Sequence, residues 1–78
     1  MTTGAQEWIR RFAGELGTDA PGDEELNSLL GLAGVAAHGS ERTAAPISCW
    51  LAGRAGVEPS DALAIAERLA GELATEDP

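Results

Sequence analysis

The spacing of apolar residues along the chain predicts four helices and no strand. In the first segment, residues 4–16, apolar side chains recur at helical spacing and therefore share one side of a helix. They are Ala5, Trp8, Ile9, Phe12, Ala13 and Leu16. Thr3 and Gln6 have the spacing of a capping box at the helix start. Gly17 supplies the left-handed residue that commonly ends a helix.

The second predicted helix covers residues 23–39 and begins with an acidic turn, which suits the positive end of the helix dipole. Its apolar face is again one-sided: Leu26, Leu29, Leu30, Ala33, Ala36 and Ala37. Gly31 and Gly34 lie inside this helix, where each costs about 1 kcal/mol relative to alanine. Interior glycines of this kind usually mark a close approach of another element.

The third predicted helix covers residues 44–53 and carries no charged side chain. Thr43 is the expected N-cap residue. A helix that is apolar on nearly every side is normally a buried one. We therefore expect Ile47, Trp50 and Leu51 to lie at the centre of the fold.

The fourth predicted helix starts at Pro59, a residue favoured in the first turn, and runs to about Ala74. Its buried stripe is expected to be Ala62, Ile65, Ala66, Leu69 and Leu73. The pattern as a whole predicts an all-α fold, a compact bundle of four short helices in one domain, residues 1–78. The ends, about residues 1–3 and 75–78, are expected to fray. The predicted core comprises Trp8, Phe12, Leu30, Ile47, Trp50, Leu51 and Leu69.

Composition and charge exclude several classes of protein. The 78 residues include 13 acidic and 5 basic ones, for a formal net charge of −8. Binding to nucleic acid requires a basic face that neutralises phosphates, so we expect no nucleic-acid partner and no anionic membrane surface. No apolar run is long enough to span a bilayer. The strong negative charge favours a basic partner protein instead.

The first residues, the number of cysteines and the chain length indicate where the protein is located and how it assembles. Its start lacks the features of a signal peptide, and one cysteine cannot form an internal disulfide. The cytoplasm is therefore the expected compartment. Because so short a chain builds only a small core, a homo-oligomer is a further hypothesis.

Candidate chemistry is sparse. One histidine, His38, and one cysteine, Cys49, without clustered carboxylates do not form a metal site. Cys49 lies in the most apolar helix, where a thiol is normally a small core residue with a high pKa. We expect no catalytic residue, no metal and no cofactor.

The junction between the second and third helices, residues 38–46, is the one segment that suggests a ligand site. It places His38, Ser40, Arg42 and Thr43 beside a helix N-terminus, where free amides and an arginine favour an anion. A purely structural explanation is the stronger alternative. In that interpretation His38 caps its own helix and Arg42 pairs with Glu41 or another acidic turn.

Several segments resemble a known family. They are residues 29–33 (Leu-Leu-Gly-Leu-Ala), 36–39 (Ala-Ala-His-Gly), 42–47 (Arg-Thr-Ala-Ala-Pro-Ile) and 50–53 (Trp-Leu-Ala-Gly). With the early Trp8 and the alanine-rich last helix, they resemble a small helical family of actinobacterial proteins described as a domain of unknown function. Thr43 stands where that family usually has proline.

The resemblance implies a pathway rather than an activity. The family occurs alone or fused to the nucleotidyltransferase that attaches guanylate to molybdopterin in molybdenum-cofactor biosynthesis. The resemblance implies a non-catalytic accessory or protein-interaction module. This module would bind the nucleotidyltransferase through residues 38–46 and the stripe of Gly31 and Gly34. The alternative is a binder of a phosphate-bearing pterin or nucleotide at His38 and Arg42. A self-associating scaffold is the third hypothesis.

Overall fold

A computed structural model describes residues 3–76. Within this range the chain forms four helices and no strand: α1 (Ala5–Leu16), α2 (Asp23–Gly39), α3 (Ala44–Ala55) and α4 (Pro59–Glu76). The predicted all-α class and four-helix bundle are confirmed. Thr75 and Glu76, which were expected to fray, are helical, while residues 1–2 and 77–78 lie outside the described part.

Glycines end α1 and α3 in the same way. Gly17 and Gly56 have φ of 78° and 70°, a left-handed conformation that only glycine adopts readily. At the end of α3, the Gly56 amide donates to the Gly53 carbonyl and the Val57 amide to the Ala52 carbonyl, each at 3.1 Å. This Schellman arrangement satisfies carbonyls that the helix leaves without partners. The predicted stop at Gly17 is confirmed.

The predicted capping box at the start of α1 is wrong, whereas the predicted N-cap position of α3 is confirmed. Gly4, not Thr3, is the N-cap of α1, and no side chain makes a cap hydrogen bond there. Because the helix begins at Ala5, Thr3 and Gln6 are each one position too early for a capping box. Thr43 is the N-cap of α3 but makes no side-chain cap hydrogen bond.

The remaining helices are arranged around α2. Extensive packing joins α2 to α4 and α2 to α3. A Cβ atom at Gly31 would lie 3.2 Å from Leu63 Cδ2, so the absent side chain lets α4 approach. On the other side, the Cys49 thiol donates to the Leu29 carbonyl at 3.8 Å. Leu32, only 4% exposed, is buried between these two contacts.

Helix α1 does not pack extensively on any other helix of the described chain. Its Ile9 edge lies beside Pro21 and Leu26, at the start of α2. The rings of Trp8 and Phe12 stack on each other, with centroids 6.0 Å apart and planes inclined by 17°. The Ile9 and Ala13 side of α1 is therefore at least partly covered, whereas Trp8, Phe12 and Leu16 are exposed.

The predicted core is wrong. All seven of its side chains are exposed, from 49% at Leu69 to 63% at Leu30. The other five are Trp8, Phe12, Ile47, Trp50 and Leu51. Within residues 3–76, the buried hydrophobic side chains are Ala13, Leu32 and Ala62. In the seams a small residue meets a larger one, Gly31 with Leu63 and Cys49 with Leu29, whereas most of the largest apolar side chains are exposed.

The exposed area reflects this arrangement. The accessible surface is 6205 Å², whereas a folded monomer of this mass has about 4,450 Å². The radius of gyration is 13.9 Å, against about 11.5 Å for a typical domain of this length. The chain therefore presents an unusually large surface, much of it apolar.

Two glycines near the end of α3 give opposite predictions. Gly56→Ala should lower the free energy of unfolding by about 1–2 kcal/mol, because alanine is strained in the left-handed conformation. Gly53→Ala should raise it by up to about 1 kcal/mol, because Gly53 is helical and nothing lies within 4 Å of an added Cβ. Urea unfolding at one protein concentration measures both. Equal effects of the two substitutions would contradict the assigned cap.

Candidate functional site

An apolar groove runs between α3 and α4, with α2 as its floor. Leu32, Val35 and Ala36 form the floor. The walls are Ser48 and Leu51 from α3, and Ile65, Ala66, Leu69 and Leu73 from α4. Two adjoining cavities of about 140 and 250 Å³ share Ser48, Ala66 and Leu69, so the groove is continuous.

The chemistry of the groove suits apolar side chains. None of the residues that line it is charged, and serine hydroxyls are its only polar side-chain groups. Ile65, Leu69 and Leu73 are each nearly half exposed. An open apolar groove of this kind can accept one face of an amphipathic helix. It offers nothing that would hold a phosphate.

A second exposed surface, which we call the outer face, lies on α2 and α3 outside the groove. Helical spacing puts three residues of each helix on one stripe. The outer face comprises Leu30, Gly34 and His38 from α2, and Ile47, Trp50 and Arg54 from α3. None of the six lines the groove.

Trp50 is the most prominent side chain of the outer face. It is 59% exposed, and the Arg54 guanidinium carbon lies 5.5 Å from the centroid of its ring. A cation over an aromatic face is attracted by the ring quadrupole. Tryptophan and arginine are also the residues most enriched among those that dominate binding energy at protein interfaces. Leu30 and Ile47 supply further exposed apolar area.

The junction of residues 38–46 contains the predicted ligand-site residues in one exposed segment. His38, Ser40, Arg42 and Thr43 are all exposed. Within residues 3–76 none of their side chains makes a hydrogen bond or a salt bridge. The expected pairing of Arg42 with Glu41 is therefore not formed in the described chain. The sequence brings these groups together, but nothing fixes their side chains in a common site.

The backbone of the junction also differs from an anion site. The Ala44 amide donates to the Glu41 carbonyl at 2.9 Å, and the Ala45 amide donates to the Arg42 carbonyl at 3.1 Å. Pro46 has no amide hydrogen. The first three residues of α3 thus provide no free donor for a phosphate.

The two glycines of the predicted stripe behave differently. Gly31 does mark a close approach, but its neighbour is Leu63 of the same chain. Gly34 has no atom within 4 Å of an added Cβ, so the expected close approach is absent there in the described chain. Only Gly34 remains available to a partner.

A further cavity, of about 430 Å³, lies where the starts of α2 and α4 meet. Glu24, Glu25 and Glu58 line it together with polar groups. The carboxylates already complement the positive ends of these helices, so an anion would be repelled. Within residues 3–76, no three side chains of ligand type are grouped to hold a metal ion.

The polar side of α1 is neutral overall. Glu7 pairs with Arg10 and, at four-residue spacing and 3.2 Å, with Arg11. The side-chain hydrogen bonds from Arg10 and then Arg11 hold the pKa of Glu7 below its ordinary value. Glu15, four residues after Arg11, forms no salt bridge with it in the described chain.

Sequence reasoning missed the groove as a site. The stripe of Ile65, Leu69 and Leu73 was recognised, but it was assigned to the core. The uncharged character of α3 was the available signal, since it indicated a helix that meets apolar surface on more than one side. What covers that surface is not encoded in helical spacing.

The fold and its surfaces define the class: a small all-α domain with an open apolar groove. One protein-family model matches residues 2–78, that of the domain of unknown function DUF6457. The chain therefore belongs to the DUF6457 family. No match was found among curated proteins or among solved structures. In the described range, no helix combines the length and apolar content needed to cross a membrane.

The Cys49 thiol provides a test of the α2–α3 seam. Burial raises the pKa of this thiol, in the direction expected from sequence. Because the thiolate is the reactive form, native protein should react with iodoacetamide more slowly than unfolded protein from about pH 7 to about pH 9. Mass spectrometry of timed samples gives both rates. Equal rates in native buffer and in denaturant would contradict the partly desolvated position of Cys49.

Proposed function

We propose that the domain is a non-catalytic protein-interaction module that docks through its outer face. The observation that carries the proposal is the exposed Trp50, stacked under Arg54 and accompanied by Leu30 and Ile47. Large apolar side chains that stay exposed on neighbouring helices, next to a charged group, are typical of binding surfaces in small proteins. A rigid indole in such a patch offers large contact area at a small cost in conformational entropy.

Charge supports a basic partner. The net charge of −8 is spread over helix ends and outer positions, and α3 carries Arg54 as its only charged residue. A basic partner would match the net charge of the domain as a whole, and an apolar pocket with an acidic group opposite Arg54 would match the outer face itself. Such complementarity raises the association rate and weakens as salt screens the charges.

We propose the guanylate-transferring nucleotidyltransferase of molybdenum-cofactor biosynthesis as that partner. The support is the resemblance of residues 29–53 to actinobacterial domains that occur alone or fused to this enzyme. In this proposal the module works in the cytoplasm and leaves the chemistry to the nucleotidyltransferase. His38 and Gly34 share the stripe of Leu30 and would lie within the contact.

A binder of a phosphate-bearing pterin or nucleotide is the runner-up. Its support is the exposed pair of His38 and Arg42 in one short segment. The bonded amides of Ala44 and Ala45 count against it. The interaction module accounts for more of the surface, because it uses the tryptophan and the apolar side chains that the ligand hypothesis leaves unexplained.

The docking proposal predicts the effect of a single truncation. Trp50→Ala should weaken binding to the nucleotidyltransferase by about 2 kcal/mol, roughly 30-fold in Kd, because the main anchor is lost. Trp8→Ala is the matched control, since Trp8 is equally exposed but lies on α1, away from the outer face. Calorimetry with the purified enzyme measures both. Equal losses, or no binding by the natural chain, would refute the proposal.

A nucleotide titration separates the two functions. GTP added to the natural chain should leave the tryptophan fluorescence unchanged if the outer face binds only protein. Saturable quenching that is abolished by Arg42→Ala would instead support the ligand site. Arg54→Ala controls for quenching by nonspecific contact near Trp50, because it removes the cation over that ring.

A further inference from the structure

Part of the apolar face of α1 is exposed, although Ala13 on the same face is buried. Trp8 and Leu16 are 62% and 64% exposed, and Phe12 is 51% exposed. These residues lie at four-residue spacing and so form one continuous stripe. Stacking of Trp8 on Phe12 stiffens the stripe but covers little of it. Helix α1 is thus an amphipathic helix, and this stripe of its apolar side faces solvent.

The groove between α3 and α4 matches this stripe in length and chemistry. Helix α1 has 12 residues, which span about 18 Å at the usual rise. The groove wall from α4 extends over residues 62–73, a stretch of the same length. The groove is lined by apolar side chains, and α1 carries two arginines and two glutamates, so its docking adds no net charge.

We propose that α1 of a second copy of this chain fills the groove, and that the exchange is reciprocal. The resulting dimer has two-fold symmetry and contains the same helix-in-groove contact twice. In each chain α1 is held to α2 by its Ile9 edge, at Pro21 and Leu26, which leaves the stripe of Trp8, Phe12 and Leu16 free for the other copy. The inference goes beyond the proposed function, because it concerns the groove and not the outer face.

The exposed area agrees with a dimer of this kind. The accessible surface of 6205 Å² exceeds that of a typical monomer of this mass by about 1,750 Å². If each copy buried that excess, the contact would cover about 3,500 Å² in total, within the range of obligate homodimers. The outer face would stay accessible, so Trp50 and its partner would be unaffected.

Sedimentation equilibrium of the pure chain tests the proposal. We expect a mass of twice 8.0 kDa. Phe12→Asp on α1 and Leu69→Asp in the groove should each raise the dissociation constant roughly 100-fold or more, because a charge enters an apolar contact. Gly14→Asp and Ala64→Asp are matched controls that add the same charge at exposed positions of α1 and α4 outside the stripe and the groove. A monomeric natural chain, or a dimer insensitive to both substitutions, would overturn the proposal.

Mixing the Phe12→Asp and Leu69→Asp variants distinguishes reciprocal exchange of α1 from nonspecific apolar association. Phe12→Asp keeps an intact groove and Leu69→Asp keeps an intact α1, so a mixed pair retains one complete helix-in-groove contact. The mixture should therefore form more dimer than either variant alone. A mixture no more dimeric than its components would contradict reciprocal exchange.

A disulfide test remains valid if either aspartate variant fails to fold. In a Cys49→Ala background, one chain carries Phe12→Cys and a second carries Leu69→Cys. Both positions lie near the middle of their elements, so pairing is insensitive to the direction of α1. Oxidation of the mixture should give a crosslinked heterodimer. A third chain carries both substitutions. No crosslink in the mixture, or a disulfide within a monomer of this third chain, would show that α1 does not enter a second copy's groove.

Salt separates this inference from the proposed function. Two chains of charge −8 repel each other, so dimerisation should tighten as salt rises from about 0.01 M to about 0.15 M. Binding to a basic nucleotidyltransferase should weaken over the same range. If the chain dimerises but does not bind the enzyme, only the proposed function is refuted. If the chain is monomeric but binds the enzyme, only the dimer proposal is refuted.

Discussion

The close packing of α2 against both of its neighbours determines the rest of the structure. Small side chains make this packing: Gly31 admits Leu63, and the Cys49 thiol reaches the Leu29 carbonyl. Because a small residue meets a larger one in each seam, the helices come close, whereas most of the largest apolar side chains are exposed. Helices α3 and α4 each pack on α2 and not extensively on each other. Both the groove and the outer face therefore depend on how α3 and α4 pack on α2.

Helical spacing was sufficient to predict the elements and their apolar faces. The four helices, the stop at Gly17 and the stripe of Ile65, Leu69 and Leu73 all follow from the order of residues. The burial of those faces did not follow. An apolar stripe shows which side of a helix avoids water, but the covering element can belong to the same chain, to another copy or to a different protein. Trp50 illustrates this difference between helical spacing and burial. Its place in an uncharged helix is typical of a core residue, yet its side chain is exposed.

In the candidate site, too, the sequence predicts which residues are present but not how they are arranged. Residues 38–46 were recognised because histidine and arginine near a helix start are visible in the sequence. The hydrogen bonds of the Ala44 and Ala45 amides, which remove the free donors, depend on a turn geometry that residue types do not specify. The outer face also depends on tertiary structure: Leu30 and Ile47 are distant in sequence, and only the packing of α2 on α3 brings their stripes onto neighbouring helices.

If either proposed contact forms, folding and binding are coupled in this domain. Leu32 is the only large apolar side chain among the buried residues described, so the isolated chain gains little from burying apolar area. Anything that covers Phe12, Leu69 or Trp50 adds stability through mass action, because it binds the folded state alone. Stability should consequently rise with protein concentration if copies exchange α1, and with partner concentration if the outer face is occupied. A core with so few large residues leaves most of the large ones exposed, so a partner that covered them would also help to hold the fold together.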